Sequence, residues 1–260
     1  MQSTTSNKKN IQSSEHHHHH RQTAEASAVD VIGDPRFARE QIDAALACLD
    51  PDRPLEEVTE LAARLTRERF PAAAGTLHRA LLYAPLYLSN YCANQCVYCG
   101  FRGPHQIERK HLQCDEAMRE AEVLIARGFY HILLVAGEAP GRTTPEYFAE
   151  VGRALHDKGV VTAVEIAPQS VEGYATMAAS GIRTVTLYQE TYNRELYRRY
   201  HPAGPKADYQ WRVDAMHRAA TGGFTRLGFG VLLGLGDPRE ELTAMLQHAL
   251  YIKQQFPALT

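Results

Sequence analysis

The chain has 260 residues and a formal net charge of −2, with 44% hydrophobic and 22% charged residues. This near-neutral balance gives no basis for binding nucleic acid or an anionic membrane surface, and the chain is long enough for one sizeable core. No run of about 18 apolar residues and no secretory leader is recognisable, so we expect a soluble cytoplasmic protein without a membrane partner. The five cysteines suit a reducing compartment.

The N-terminal part is predicted to be a polar tail followed by helices. Residues 1–27 are rich in Ser, Gln and Asn without periodicity, which predicts disorder, and the His16–His20 run is excluded from the fold. Residues 28–76 predict a helical extension, whose second helix opens at Pro54 and ends at Pro71. The apolar face of that helix consists of Val58, Leu61, Ala62 and Leu65. We expect the extension to cap the catalytic domain without chemistry of its own.

From residue 86 onward, short apolar runs alternate with helical patterns. The predicted strands span residues 86–89, 131–135, 160–166, 184–188 and 226–233. The predicted long helices span residues 115–127, 145–158, 170–180, 208–220 and 238–255. Strands separated by helices predict right-handed βα units and a parallel sheet. In such α/β folds, ligands bind at the carboxyl ends of the strands.

A loop with three cysteines follows the first predicted strand. Cys92, Cys96 and Cys99 have the spacing C-x3-C-x2-C. Three thiolates on one short loop suit three irons of a [4Fe-4S] cluster and leave the fourth iron for a small molecule. A structural zinc site needs a fourth ligand and a disulfide framework leaves an odd thiol, so both are weaker interpretations. Cys48 and Cys114 stand alone and are predicted to be non-ligands.

The cysteine spacing, with an aromatic residue before the last cysteine, resembles the radical S-adenosylmethionine (SAM) superfamily. Within it, the chain looks like the 2-iminoacetate synthases, the tyrosine lyases of thiamine thiazole biosynthesis. The stretches that carry this resemblance are YLSNYCANQCVYCGF, HILLVAGE, VEIAP, LYQETYN and GFGVLLGL. The resemblance covers residues 77–260 and implies an α/β fold, a parallel partial (βα)6 TIM barrel. Because only five units are recognisable, we expect a fragment truncated before the sixth strand.

Candidate site residues stand at the ends of the second and third strands, and for the second strand the resemblance implies a role. Glu138, preceded by Gly137, stands where the superfamily binds the amino group of SAM. A carboxylate accepts hydrogen bonds from that ammonium, and glycine lets the backbone approach closely. Glu165 ends an apolar run, where a charge needs either a ligand or an ion-pair partner. Tyr98 is expected beside the adenine.

Further candidate residues follow the fourth strand. The resemblance places Gln189 and Glu190 near the ribose of SAM or near the substrate. Lys206 and Arg212 come next, and a carboxylate needs a cation as its partner. Because SAM and an amino-acid substrate both carry a carboxylate, each cation suits either ligand. A surface position is the alternative for both.

The implied reaction is reductive cleavage of SAM at the [4Fe-4S] cluster, with an electron from a donor such as flavodoxin. A 5′-deoxyadenosyl radical then takes a hydrogen from the amino group of L-tyrosine, and the Cα–Cβ bond breaks. The products are 2-iminoacetate (dehydroglycine) and p-cresol, and 2-iminoacetate passes to thiazole synthase. Two alternatives stay open: another radical SAM lyase, for hydrogenase maturation or for tryptophan, and a non-enzymatic iron–sulfur or zinc protein.

Changing any of Cys92, Cys96 or Cys99 to Ala is expected to abolish SAM cleavage, because each thiolate is predicted to hold one iron. Anaerobic reconstitution followed by iron analysis and a 5′-deoxyadenosine assay measures this. The control variants Cys48→Ala and Cys114→Ala are expected to keep about four irons and full cleavage. Cleavage that survives loss of one loop cysteine would disprove the cluster assignment.

Overall fold

A computed structural model describes residues 28–71 and 81–260. The predicted disordered tail with its histidine run lies outside the described residues, and so does the predicted boundary between residues 76 and 77. Among the helices of the described residues, none combines the length and the hydrophobicity that a membrane span requires.

A parallel sheet forms the centre of the fold. Its strands are β1 (Ala84–Ser89), β2 (His131–Ala136), β3 (Val161–Glu165), β4 (Thr184–Glu190) and β5 (Arg226–Val231). Within the described ranges, the sheet has five strands in the order β1-β2-β3-β4-β5, and all neighbours pair in parallel. The predicted α/β class and parallel sheet are therefore confirmed. Because the strands are parallel, all their carboxyl ends meet at one edge of the sheet.

Helices connect the strands and begin at residues that suit a helix N-terminus. The long ones are α4 (Cys114–Ala126), α5 (Pro145–His156), α6 (Val171–Ala179) and α10 (Pro238–Gln255). Thr144 accepts a hydrogen bond from the amide of Tyr147 at the start of α5, and Ser170 does the same from Gly173 at α6. Asp237 accepts from the amides of Arg239 and Glu240 at α10. These caps satisfy amides that have no partner inside the helix.

The segment between β4 and β5 differs from its prediction. It contains α7 (Arg194–Tyr200), α8 (Tyr209–Val213) and α9 (Ala215–Thr221). The single helix predicted for residues 208–220 is thus broken at Asp214, whose ψ is 0°. The prediction was wrong here, because no Pro or Gly lies between residues 208 and 220 to indicate a break.

The core lies between the sheet and the helices that follow its strands. Leu88, Leu134, Val164 and Val185 are fully buried on β1 to β4. They pack with buried helix residues that include Val151, Leu155, Met177, Met216 and Ala219. Because side chains alternate along each strand, the residues in between point to the opposite face of the sheet, away from these helices.

The last described residue pairs with β5. The amide of Thr260 donates to the carbonyl of Thr225, and the amide of Leu227 donates to the carbonyl of Thr260. Bonds from one residue to two alternate residues of its neighbour are the pattern of a parallel pair. The sixth strand predicted to start here stays a prediction.

The helical extension packs on the outer helix α10 rather than over the carboxyl edge of the sheet. Its first helices, α1 (Ala28–Val31) and α2 (Arg39–Leu46), contact α10. Its longest helix, α3 (Leu55–Arg69), has no buried residue, and Leu65 on its predicted apolar face is 45% exposed. None of the residues of α3 is buried, whereas α1 and α2 lie against α10, so the capping role of the extension stays a prediction.

Gln247→Ala is expected to lower the free energy of unfolding by about 2 kcal/mol, because two backbone groups lose their partner. The Gln247 side chain on α10 accepts from the amide of Gly33 and donates to the carbonyl of Asp34, both at 2.7 Å. Denaturant titration measures the change, with the exposed Gln254→Ala as control. Equal unfolding midpoints for the two variants would contradict this attachment of the extension.

Candidate active site

A cavity of about 230 Å³ lies at the carboxyl edge of the sheet. Its walls come from the cysteine loop and from the ends of β2, β3 and β4. Ten of the eleven site residues predicted from the sequence line it: Cys92, Cys96, Cys99, Tyr98, Gly137, Glu138, Glu165, Glu190, Lys206 and Arg212. The tertiary structure thus brings together groups that lie up to 120 positions apart in the sequence.

The three cysteines present a donor set that fits an iron–sulfur cluster. Cys96 is buried, Cys92 and Cys99 are partly exposed, and the amide of Phe101 lies 3.4 Å from the sulfur of Cys99 as a donor. Amide hydrogen bonds to sulfur are one means by which proteins tune such clusters. No group of His, Cys, Asp or Glu among the described residues surrounds a single ion. A four-iron cluster takes each thiolate at a separate corner, so its cysteines need not converge on one point.

The cysteine loop packs directly against the end of β2. The amide of Ala93 donates to the carbonyl of Glu138 at 2.7 Å, and the amide of Gly137 donates to that of Ser89 at 2.9 Å. A side chain at Gly137 would collide with the carbonyl oxygen of Tyr91. Glycine is therefore required at this position by the close approach of two backbones.

The same loop is hydrogen-bonded to the crossover, which is the segment from the end of α7 to the start of α8 (residues 200–208). The amides of Gln95 and Val97 donate to the carbonyls of Ala203 and Tyr200, both at 3.0 Å. Gly204 has a φ of 94° and approaches Asn94 so closely that a Cβ atom there would clash with it. Loop and crossover therefore form one packed unit.

Tyr98 is held by a buried histidine. The Nδ1 atom of His201 lies 2.8 Å from the carbonyl of Tyr197, which only accepts, so Nδ1 carries the proton. The Nε2 atom then accepts from the hydroxyl of Tyr98 at 2.7 Å. Burial, together with the charge of Lys206, lowers the pKa of His201 to about 4, which keeps the ring neutral. Tyr98 is thereby fixed at the cavity wall beside the cysteines.

Glu190 forms a buried ion cluster with two cations. Its Oε1 atom lies 2.6 Å from the Nζ of Lys206 and 3.6 Å from a guanidinium nitrogen of Arg212. Arg212 is 7% exposed and donates twice to the carbonyl of Tyr188, at 2.8 and 2.6 Å. Both cations are therefore inside the site, and their alternative surface position is excluded.

The cavity offers a ligand partly buried groups of both charges. Burial lowers the pKa of Lys206, and burial together with the charge of Glu190 raises the pKa of Glu165. Within the described part of the chain, the Oε2 atom of Glu190 and the NH1 atom of Arg212 make no hydrogen bond. A polar ligand can therefore use both atoms.

Gln189 is the predicted site residue that does not line the cavity. It lies between Tyr188 and Glu190, at an irregularity in the pairing of β4 with β5, and it does not contribute to the cavity wall. It is 3% exposed, and its Nε2 atom has no hydrogen-bond partner among the described residues. The expectation that Gln189 contacts SAM is corrected accordingly.

Asn94 is a cavity residue that sequence reasoning missed. It lies between the first two cysteines and is 3% exposed. Its Nδ2 atom lies 2.7 Å from Oε2 of Glu138, and its Oδ1 atom accepts from the amide of Lys206 at 2.8 Å. The sequence shows only a polar residue between two cysteines. That pattern does not indicate whether the side chain is buried or exposed.

The two remaining cysteines lie outside the cavity lining. Cys48 is in a short 3-10 turn after α2, and Cys114 begins α4. Their status as non-ligands stays a prediction.

The fold and this cavity define a parallel α/β protein with a three-cysteine cofactor loop at the carboxyl ends of its strands. The sequence profile of the Radical SAM superfamily matches residues 86–249. The chain belongs to this superfamily, whose enzymes use a [4Fe-4S] cluster and SAM as cofactors.

Three relatives place the chain more closely. It is 36% identical to 2-iminoacetate synthase of Escherichia coli K12 over 203 residues, which are 78% of this chain and 52% of the relative. It is 34% identical to the Salmonella typhimurium 2-iminoacetate synthase over 233 residues, 88% of this chain and 60% of the relative. The crystal structure of HydG, a maturase of the [FeFe]-hydrogenase, superimposes with a TM-score of 0.76 and 34% identity, covering 90% of this chain and 53% of that one. The chain thus spans between half and two thirds of these relatives.

Arg212→Ala in the full-length protein is expected to weaken SAM binding at least about tenfold, because the Arg212 guanidinium lines the cavity and offers a cation to a ligand carboxylate. Arg212→Lys is expected to recover only part of the affinity, since it keeps the charge but loses the planar fork. Affinities for SAM and for tyrosine are measured separately after cluster reconstitution. If Arg212→Ala binds SAM and tyrosine as tightly as the wild type does, the role of Arg212 is purely structural.

Proposed function

We propose that the protein, in its full-length form, is a radical SAM carbon–carbon lyase that converts L-tyrosine into 2-iminoacetate and p-cresol. The observation that carries the proposal is that three cysteines line the same cavity as Glu138, Glu190, Lys206 and Arg212. The identity of 34–36% with 2-iminoacetate synthases supports the choice of this reaction among those of the superfamily.

The cysteines would hold the cluster, which when bound supplies the electron for reductive cleavage of SAM. Glu138, with one carboxylate oxygen free of hydrogen bonds within the described residues, would accept from the amino group of SAM. Arg212 would bind its carboxylate through the free guanidinium nitrogen. Glu190 would bind the ribose hydroxyls through its free oxygen, and Tyr98 would pack beside the adenine.

The remaining groups of the cavity would serve the substrate. Lys206 and Glu165 offer a cation and a half-buried carboxylate at the same cavity, which suits the two charged ends of a free amino acid. Fixing these ends holds the tyrosine amine close to the radical carbon and converts binding energy into orientation. Apolar walls from Ile166 and Leu187 exclude water from the reacting atoms.

The proposal includes partners and a pathway. A small electron carrier such as flavodoxin would reduce the cluster, and the unstable 2-iminoacetate would pass to thiazole synthase for thiamine biosynthesis. Reductive cleavage of SAM consumes an electron, which calls for a donor, and the names of the relatives, 2-iminoacetate synthases, support the product that would be passed on.

Hydrogenase maturation is the second candidate. The structural likeness to HydG, with 34% identity over 90% of this chain, favours it as much as sequence identity favours 2-iminoacetate synthase. A maturation enzyme would need a second cysteine motif in its C-terminal part. Iron content above about four per full-length chain would favour this candidate.

The full-length reconstituted protein, given SAM, reductant and L-tyrosine, is expected to form p-cresol and 5′-deoxyadenosine in equal amounts. The expectation follows from one radical initiation per bond cleaved, and chromatography measures both products. Tryptophan in place of tyrosine, and the variant Cys96→Ala, are the controls. If SAM is cleaved but no p-cresol appears, the superfamily assignment stands and the tyrosine lyase proposal falls.

A further inference from the structure

We propose that Asn94 is a positioning residue that aims the carboxylate of Glu138 at the amino group of SAM. The inference rests on the proposed function, in which Glu138 receives that amino group. Asn94 itself binds no ligand. It determines how strongly the site prefers a ligand that carries an amino group over one that lacks it.

The orientation of the Asn94 amide follows from its neighbours. The amide of Lys206 can only donate, so the side-chain atom that faces it at 2.8 Å is the oxygen. The nitrogen must then face Glu138, where it donates to Oε2 at 2.7 Å. Turning the amide over would place two donors against each other at Lys206 and two acceptors against each other at Glu138.

Packing prevents the Asn94 side chain from leaving this position. The residue is 3% exposed, and its own carbonyl accepts from the amide of Gly103 at 2.7 Å. On the other side, Gly204 has a φ of 94° and no room for a Cβ atom, which would lie 2.6 Å from the Asn94 oxygen. The crossover therefore closes over the side chain, and the amide acts as a fixed donor.

A fixed donor has a specific effect on Glu138. It occupies one oxygen of the carboxylate, while the other has no hydrogen bond within the described part of the chain. The backbone carbonyl of Glu138 is held as well, by the amide of Ala93. The side chain thus loses its rotamer freedom before the ligand arrives, so binding an ammonium costs less conformational entropy.

The donor must also be neutral. An amide stabilises the carboxylate by a hydrogen bond and leaves its negative charge available to the ammonium. Replacing the amide by an isosteric carboxylate would set two acceptors at 2.7 Å, where like charges repel. Asn94→Asp keeps the acceptor for the Lys206 amide, so of the two hydrogen bonds of this side chain it removes the one to Glu138, and it adds a negative charge beside that carboxylate.

The same loop provides a matched control. Asn90 also accepts a backbone amide, that of Lys110 at 2.7 Å, and donates to a backbone carbonyl, that of Glu108 at 2.8 Å. Asn90 does not line the cavity. Asn90→Asp therefore repeats the chemical change at a partly exposed position beside the cysteine loop without touching Glu138.

The test compares two ligands on the reconstituted full-length protein: SAM, and an analogue that lacks the amino group but keeps the sulfonium and the carboxylate. We expect Asn94→Asp to weaken SAM binding about 10- to 100-fold and to weaken binding of the analogue little. Asn90→Asp is expected to leave the ratio of the two affinities unchanged. A merely structural role of Asn94 would lower both affinities alike, and that outcome overturns the inference.

Two further results are informative. If Asn94→Asp does not load its cluster, Asn94→Ala replaces it, and the ratio of affinities is again expected to fall, whereas a preserved ratio overturns the inference. If the wild-type protein binds SAM and the analogue equally well, Glu138 does not receive the amino group. The proposed role of Glu138 then fails together with that of Asn94. If the wild type prefers SAM to the analogue and Asn94→Asp keeps that preference, only the role of Asn94 is refuted.

Discussion

The buried ion cluster around Glu190 is the interaction on which the site depends. A carboxylate and two cations are costly to remove from water, and they persist in the interior only when they neutralise one another in good geometry. Here Glu190 pairs with Lys206, while Arg212 is anchored on the carbonyl of Tyr188. Glu190 adopts a φ of 71°, a conformation that costs a non-glycine residue free energy and that the ion pairs offset.

The backbone around Glu190 is supported from outside the cavity as well. Glu241 on α10 accepts from the hydroxyl of Thr191 and from the amide of Tyr192, the residues that follow Glu190. Glu241 is 4% exposed, so this support is itself a buried charge with dedicated donors. The outer helix α10 therefore helps to hold the end of β4 in the conformation that turns Glu190 towards its cations.

The cysteine loop depends on the same crossover. Lys206 contributes its side chain to Glu190 and its backbone amide to Asn94, so one residue links the ion cluster to the loop that holds the cysteines. His201 adds a second link through Tyr98. The cofactor loop is thus not an independent metal-binding element, because its non-cysteine residues are held by groups that follow β4 more than 100 positions later.

Local sequence determined the elements and most of the cofactor residues of this protein. Apolar runs bounded by Gly and Pro located the five strands, and the spacing of Cys92, Cys96 and Cys99 indicated the cluster loop, because both signals lie within a few consecutive residues. Only the tertiary structure decided which side chains face the cavity. Gln189 and Glu190 are neighbours in sequence, yet only Glu190 lines the cavity, because the regular pairing of β4 is interrupted at this point. Asn94 acquired its position from Gly204 and Lys206. Such contacts depend on packing between distant segments, which a local pattern does not encode.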